Sequence, residues 1–156
     1  MLNPQIWIVE DDADDLDFFR EAFKTFSSVV TMRYFQNGAE MLQQLRLATR
    51  PSPLLLLIDW EMPYMSGWEV IMKLRAEHPS LGLKIKLLSS GFTVQEQAFA
   101  LEQGVPLHEK PVSVSGWHNL ACYMVTEITN YRSYFPHALM QKSIVDESAS
   151  RRSYLF

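Results

Sequence analysis

Apolar and polar positions alternate along this chain in a pattern repeated five times: a short apolar run, then a longer stretch at helical spacing. Gln5-Ile6-Trp7-Ile8-Val9 reads as the first strand, and Leu16, Phe19, Ala22, Phe23 and Phe26 recur as the inner face of a helix ending near Thr25 to Ser28. Asp12 or a neighbouring acid caps that helix. Val29 to Phe35 predicts a second strand, and Asn37-Gly38 turns the chain into a helix over Ala39 to Ala48 with Met41, Leu42 and Leu45 inward. The third run, Leu54-Leu55-Leu56-Leu57-Ile58, is too short to span a membrane and too unbroken for a strand with one wet face. It predicts a strand buried on both sides, ending in Asp59.

A loop over Pro63 to Gly67 leads to a helix from Trp68 to Glu77, stopped before Pro79. Ile85 to Gly91 predicts the fourth strand and Thr93 to Gln103 its helix, with Gly104 as a left-handed cap. Val105 to Pro111 predicts a fifth strand, whose early proline suits a sheet edge, and Ser115 to Tyr131 the last helix. Strands alternating with helices imply an α/β fold with a doubly wound parallel sheet over residues 1–131. Residues 132–156 fit no further repeat and predict a loosely docked tail with a short helix over His137 to Val145. Ile144, Val145, Tyr154, Leu155 and Phe156 are apolar for a tail, so a self-association segment is the alternative there.

With 156 residues, 47% hydrophobic and 21% charged, the chain suits one soluble domain, and its net charge of -4 argues against a nucleic-acid surface. Met1-Leu2-Asn3-Pro4 leads into the first strand without a basic segment and long apolar run, so the expected location is cytoplasmic, with no membrane insertion. The single cysteine, Cys122, lies on an apolar helical face and is expected to be a passive core thiol.

The chemistry gathers at the strand ends. In open α/β sheets the crevice lies at the carboxyl ends of the strands, and these deliver Glu10 and Asp11, Asp59, Ser89 and Ser90, and Lys110 to one rim. Carboxylates about 4 Å apart repel by roughly 4 kcal/mol per pair at an effective dielectric near 20, so the cluster needs a cation. Oxygen-only ligands favour a hard ion, Mg²⁺ or Mn²⁺. A carboxylate nucleophile beside a metal, an ammonium and a hydroxyl describes phosphoryl transfer to an aspartate.

Val9-Glu10-Asp11-Asp12, Leu57 to Gly67 with Asp59 at its head, Leu88-Ser89-Ser90 and Glu109-Lys110-Pro111 resemble, in order and spacing, the four signatures of the receiver domain of two-component response regulators. The resemblance covers residues 4 to 131 and implies a flavodoxin-like (βα)5 fold with strand order 2-1-3-4-5. It implies Asp59 as phosphoacceptor and metal ligand, Asp11 as direct Mg²⁺ ligand, Glu10 as a ligand through water and Glu61 as a ligand through its backbone carbonyl. By the same resemblance Ser89 is the switch hydroxyl, Trp60 and Ser90 offer backbone N–H groups to phosphate, Lys110 pairs with the phosphoryl group, and Pro111 follows that lysine. The family commonly has an aromatic switch three places before the lysine; here Leu107 stands there, so the signal is expected to travel by loop and helix shift.

The implied protein is a stand-alone regulator, not a turnover enzyme, phosphorylated by a histidine kinase or phosphotransfer protein and acting on a downstream protein. A homodimer through helix 93–103, strand 105–110 and helix 115–131 is the further expectation.

Each assignment has a plainer rival. Asp11 and Asp12 could serve only as helix-start acids, Ser89 as a strand-end hydroxyl, Lys110 as a solvated charge, and Trp60 and Trp68 as partial core. His108 is expected to be structural, and Asp14, Asp15 and Asp17 a solvated helix start or a steering patch for a basic kinase surface. At the level of the whole protein the alternatives are a phosphorylation-independent receiver-like adaptor and a small-molecule aspartyl-phosphate hydrolase. The latter lacks a second aspartate in Asp59-Trp60-Glu61 and room for a cap domain.

Overall fold

The structure, a computed structural model, describes residues 3–47 and 53–129. Five strands and five helices alternate: β1 (Gln5–Val9), α1 (Ala13–Lys24), β2 (Thr31–Phe35), α2 (Gly38–Leu47), β3 (Leu55–Asp59), α3 (Gly67–Glu77), β4 (Lys84–Ser89), α4 (Val94–Gln103), β5 (Leu107–Glu109) and α5 (Val114–Ile128). All pairings are parallel and the strand order is β2-β1-β3-β4-β5. This is the flavodoxin-like order, with β5 at the edge.

Period-two alternation sorts the side chains of the sheet into two cores. Ile6, Ile8, Leu55, Leu57 and Leu88 meet α1 and α5, through Phe19, Phe23, Trp117, Ala121 and Val125 among others. Trp7, Val9, Leu56, Ile58 and Leu87 meet α2, α3 and α4, through Met41, Leu42, Val70, Ile71 and Ala100. Leu55 to Ile58 are fully buried, as an unbroken apolar run requires, each contributing about 1.5–3 kcal/mol. Leu107 joins the second core and Cys122 the first, where burial pushes its thiol up.

The helix ends follow local chemistry. Asp12 Oδ1 accepts from the N–H groups of Asp14 and Asp15, and Gly104 closes α4 in the left-handed region at φ 61°. Two strands are shorter than their apolar runs. Val29 and Val30 donate to the Phe26 carbonyl and belong to the turn after α1, while Val105 donates to Ala100 in the α4 cap. The expected tail 132–156, its short helix, and the end of α5 at Tyr131 lie outside the described residues.

Candidate functional site

β1 and β3 are neighbours at the centre of the sheet, so their carboxyl ends bring acids together. Glu10 and Asp59 are almost wholly buried, at 1% and 4% exposure, and Asp11 is the least enclosed of the three. Each of Glu10, Asp11 and Asp59 offers an oxygen within 4.8 Å of the others. The strand pairing continues past β1, where Glu10 N–H donates to the Phe35 carbonyl at 3.0 Å, and Glu10 Oε1 accepts from Asp12 N–H at 3.1 Å. Burial, with the Asp59 charge adding to it, raises Glu10 to about 7. Burial likewise raises Asp59 to about 6; Lys110 opposes the rise, and Asp11 and Asp15 add to it.

Lys110 reaches this cluster from just beyond β5, its own N–H bonded to the Ser89 carbonyl at 2.8 Å. Its ammonium lies 2.7 Å from Glu10 Oε2, 2.8 Å from Asp15 Oδ2 and 2.9 Å from Asp59 Oδ1. A lysine has three N–H donors, and here each has a carboxylate. Burial works against the charged form, but bonds to Asp15, Glu10 and Asp59 outweigh it and hold Lys110 above its ordinary value. Asp15 is the member that periodicity left out, since a first-turn helical acid reads as solvated.

The remaining residues are placed less uniformly. Ser90 and Glu61 are exposed on the loops after β4 and β3, beside the cluster in sequence. Trp60 N–H, expected to be open to phosphate, is instead taken by the Leu88 carbonyl at 2.7 Å, because the β3–β4 ladder runs one residue beyond Asp59. The Ser89 hydroxyl donates toward the Gly91 carbonyl and Glu96 Oε1. Leu107 is 7% exposed and packed in the core, and Pro111 lies against the start of α5 beside Gly116. His108 packs on Tyr123 at 5.7 Å between ring centroids, a neighbourhood apart from the acids. Trp60 and Trp68 both set an edge toward Phe99 of α4, at 5.5 and 6.3 Å.

The donor set fits a metal by its chemistry. Three convergent carboxylates with no imidazole or thiolate among them suit a hard divalent cation, and the raised values of Glu10 and Asp59 mark excess negative charge in a dry place. Glu10, Asp11 and Asp59 are the side chains that would hold it.

A buried aspartate at the end of β3, acids from the end of β1 and a lysine just past β5 thus meet at one rim of a 2-1-3-4-5 sheet. The family model of the response regulator receiver domain matches residues 6–113, and the chain belongs to that family. Among curated proteins, the DNA-binding transcriptional regulator NtrC of Escherichia coli K12 is 28% identical over 120 residues. That match takes in 69% of this chain and 24% of NtrC, so the chain spans about a quarter of that relative's length.

Among solved structures, the phosphorylated cyanobacterial phytochrome response regulator RcpA superposes with a TM-score of 0.73 at 19% identity, covering 86% of this chain and 99% of that one. A two-component response regulator from Legionella pneumophila gives 0.67 at 19%, covering 81% and 100%. A CheY-like receiver protein from Methanospirillum hungatei JF-1 gives 0.64 at 21%, covering 81% and 96%. These likenesses show the fold. Among the described residues no helix is long and apolar enough to cross a membrane.

Proposed function

We propose that this protein is a response regulator that takes a phosphoryl group from a phosphohistidine onto Asp59 and thereby changes its affinity for a protein partner. The observation that carries the reading is the meeting of Lys110 with Asp59 at 2.9 Å inside a cluster of buried acids. An Asp59 carboxylate oxygen attacks phosphorus, forming a P–O bond. The P–N bond of the donor breaks with its electron pair left on the histidine ring. When bound, Mg²⁺ would mask the acid charge and polarise the phosphoryl group.

The chain's own residues supply the rest. Lys110 exchanges its bond to Asp59 Oδ1 for one to a phosphoryl oxygen, and Glu10 and Asp15 hold the ammonium from behind. Burial keeps Asp59 away from bulk water, which favours phosphoryl transfer over hydrolysis. The added dianionic charge needs donors, and the Ser89 hydroxyl and the Ser90 N–H on the loop after β4 are the ones proposed. The protein would act as a phosphoacceptor that assists its own modification, not as a turnover enzyme. The partner surface proposed is α4, β5 and α5, for a downstream protein or a second copy of this chain.

The test is labelling by acetyl phosphate with Mg²⁺. Asp59→Asn should lose all labelling while keeping the wild-type circular dichroism spectrum; equal labelling of the variant would overturn the assignment.

A further inference from the structure

The hydroxyl expected to serve as the switch is already engaged elsewhere. Ser89 follows Leu87 at period two, so its side chain leaves β4 on the face covered by α2, α3 and α4. Its Oγ lies 2.7 Å from Glu96 Oε1 and 2.5 Å from the Gly91 carbonyl.

Glu96 is 2% exposed, a rare position for a carboxylate. Its second oxygen, Oε2, accepts Thr93 N–H at 2.6 Å, and Thr93 Oγ1 accepts Glu96 N–H at 3.2 Å, closing the capping box of α4. Burial raises this acid, and the bonds from Thr93 and Ser89 outweigh the rise and leave it below its ordinary value. One buried carboxylate therefore holds Ser89 with one oxygen and the first turn of α4 with the other.

Resting on the phosphoacceptor reading above, we propose that Glu96 is a positioning residue that holds the Ser89 hydroxyl off the site in the unphosphorylated protein. Transfer of that hydroxyl to the phosphoryl group then releases the α4 capping box. Ser89 has one proton to donate, and it lies between Glu96 Oε1 and the Gly91 carbonyl, so a bond to a phosphoryl oxygen draws it away from both. The two states are linked, and weakening one bond strengthens occupancy of the other. With Leu107 aliphatic and packed, this carboxylate gives the site a direct route to α4 without an aromatic ring. Phe92 and Val94, 44% and 84% exposed on either side of Thr93, are the surface that such a release rearranges.

The experiment uses the full chain with Mg²⁺ and beryllofluoride as the phosphoryl mimic, followed by tryptophan fluorescence. Trp60 adjoins Asp59 and sets its edge toward Phe99 of α4, so it senses both ends of the device. Glu96→Ala should tighten beryllofluoride binding by about tenfold, the scale of one hydrogen bond to a charged group. In a Ser89→Ala background the same change should give no gain.

Glu96→Gln, which keeps an acceptor oxygen, should fall between and guards against a variant that fails to fold. A purely structural Glu96 would lower the thermal midpoint of each variant and leave affinity unchanged or weaker in both backgrounds, which overturns the proposal. If folded wild-type protein binds no beryllofluoride, the phosphoacceptor reading fails, and this proposal with it. Wild-type binding without a gain in Glu96→Ala overturns this proposal alone.

Discussion

Lys110 and Asp15, 95 residues apart in sequence, meet at 2.8 Å and complete the lysine's third ion pair. The other two go to Glu10 and Asp59, so Asp15 and Glu10 together fix the direction in which the remaining N–H points at the phosphoacceptor. With side chains 10% and 24% exposed, this pair is enclosed enough to hold a geometry and open enough to avoid a full desolvation cost. Asp15→Ala should cost about 1–2 kcal/mol, lowering the thermal midpoint by roughly 2–6 °C, and should slow acetyl-phosphate labelling of Asp59 several-fold. Asp15→Asn keeps an acceptor and should recover most of the rate. Wild-type labelling in Asp15→Ala would show that the lysine needs no such anchor.

Metal affinity should depend on pH near neutrality. Glu10 is raised to about 7 and Asp59 to about 6, so both take up protons where ordinary carboxylates stay charged. A divalent cation needs them ionised and must displace those protons. Mg²⁺ affinity, followed by tryptophan fluorescence, should rise between about pH 5.5 and 7.5, by up to about tenfold per unit for each proton displaced. Without metal the sign for stability is reversed: folded-state values above the unfolded ones favour the fold in acid, and that contribution is lost as pH rises through about 6 to 7. A flat affinity profile over this window would contradict the assignment of these two acids as ligands.

Gly67 is required for space. Its N–H donates to the Trp60 carbonyl at 3.0 Å, and a Cβ there would collide with the Asp59 carbonyl oxygen and lie 3.1 Å from Leu87 Cδ2. The obstacle is backbone at the end of β3, which cannot rotate aside. Gly67→Ala should destabilise by about 1–3 kcal/mol in urea unfolding and slow Asp59 labelling, because the strand end must move. Gly82→Ala, where a Cβ meets nothing within 4 Å, is the control and should change neither.

Most of the fold was legible because backbone preference and burial agree there. The buried run of β3, the Asp12 cap and the left-handed Gly104 each follow from local residues, and each stands where the pattern put it. Val29 and Val30 misled, because an apolar pair completing a turn looks the same as one opening a strand. The meeting of Glu10, Asp11, Asp59 and Lys110 could be foreseen from strand ends, whose positions a parallel sheet fixes. Asp15 and Glu96 could not. Both lie in first turns of helices, where an acid is ordinary, and only tertiary packing brings one to Lys110 and the other to Ser89. Lys86 did leave a signal, a charge inside the apolar run of β4; it is 3% exposed and pairs with Glu127 of α5 at 2.9 Å.

That pair flanks His108, whose own burial gives the protein a second pH dependence. His108 lies beside Tyr123 with Nε2 buried and without a hydrogen-bond partner among the described residues, where Lys86 and Glu127 are the charged groups acting on it. Burial and then the Lys86 charge lower it from 6.5 to about 4, with Glu127 opposing. Between those values the unfolded chain binds a proton that the folded protein refuses, so stability must fall as pH drops from about 6.5 toward 4. The slope approaches about 1.4 kcal/mol per pH unit and the total about 3 kcal/mol. Glu10 and Asp59 act with the opposite sign across overlapping pH, so wild-type stability alone can look flat. The comparison that isolates the histidine is with His108→Gln, which cannot titrate and leaves the two acids in place. In urea unfolding at several pH values from about 4.5 to 7, the variant should gain on wild type steadily as pH falls. Parallel curves would mean that His108 takes up its proton as readily in the folded protein as in the unfolded chain, with Glu127 offsetting burial and Lys86.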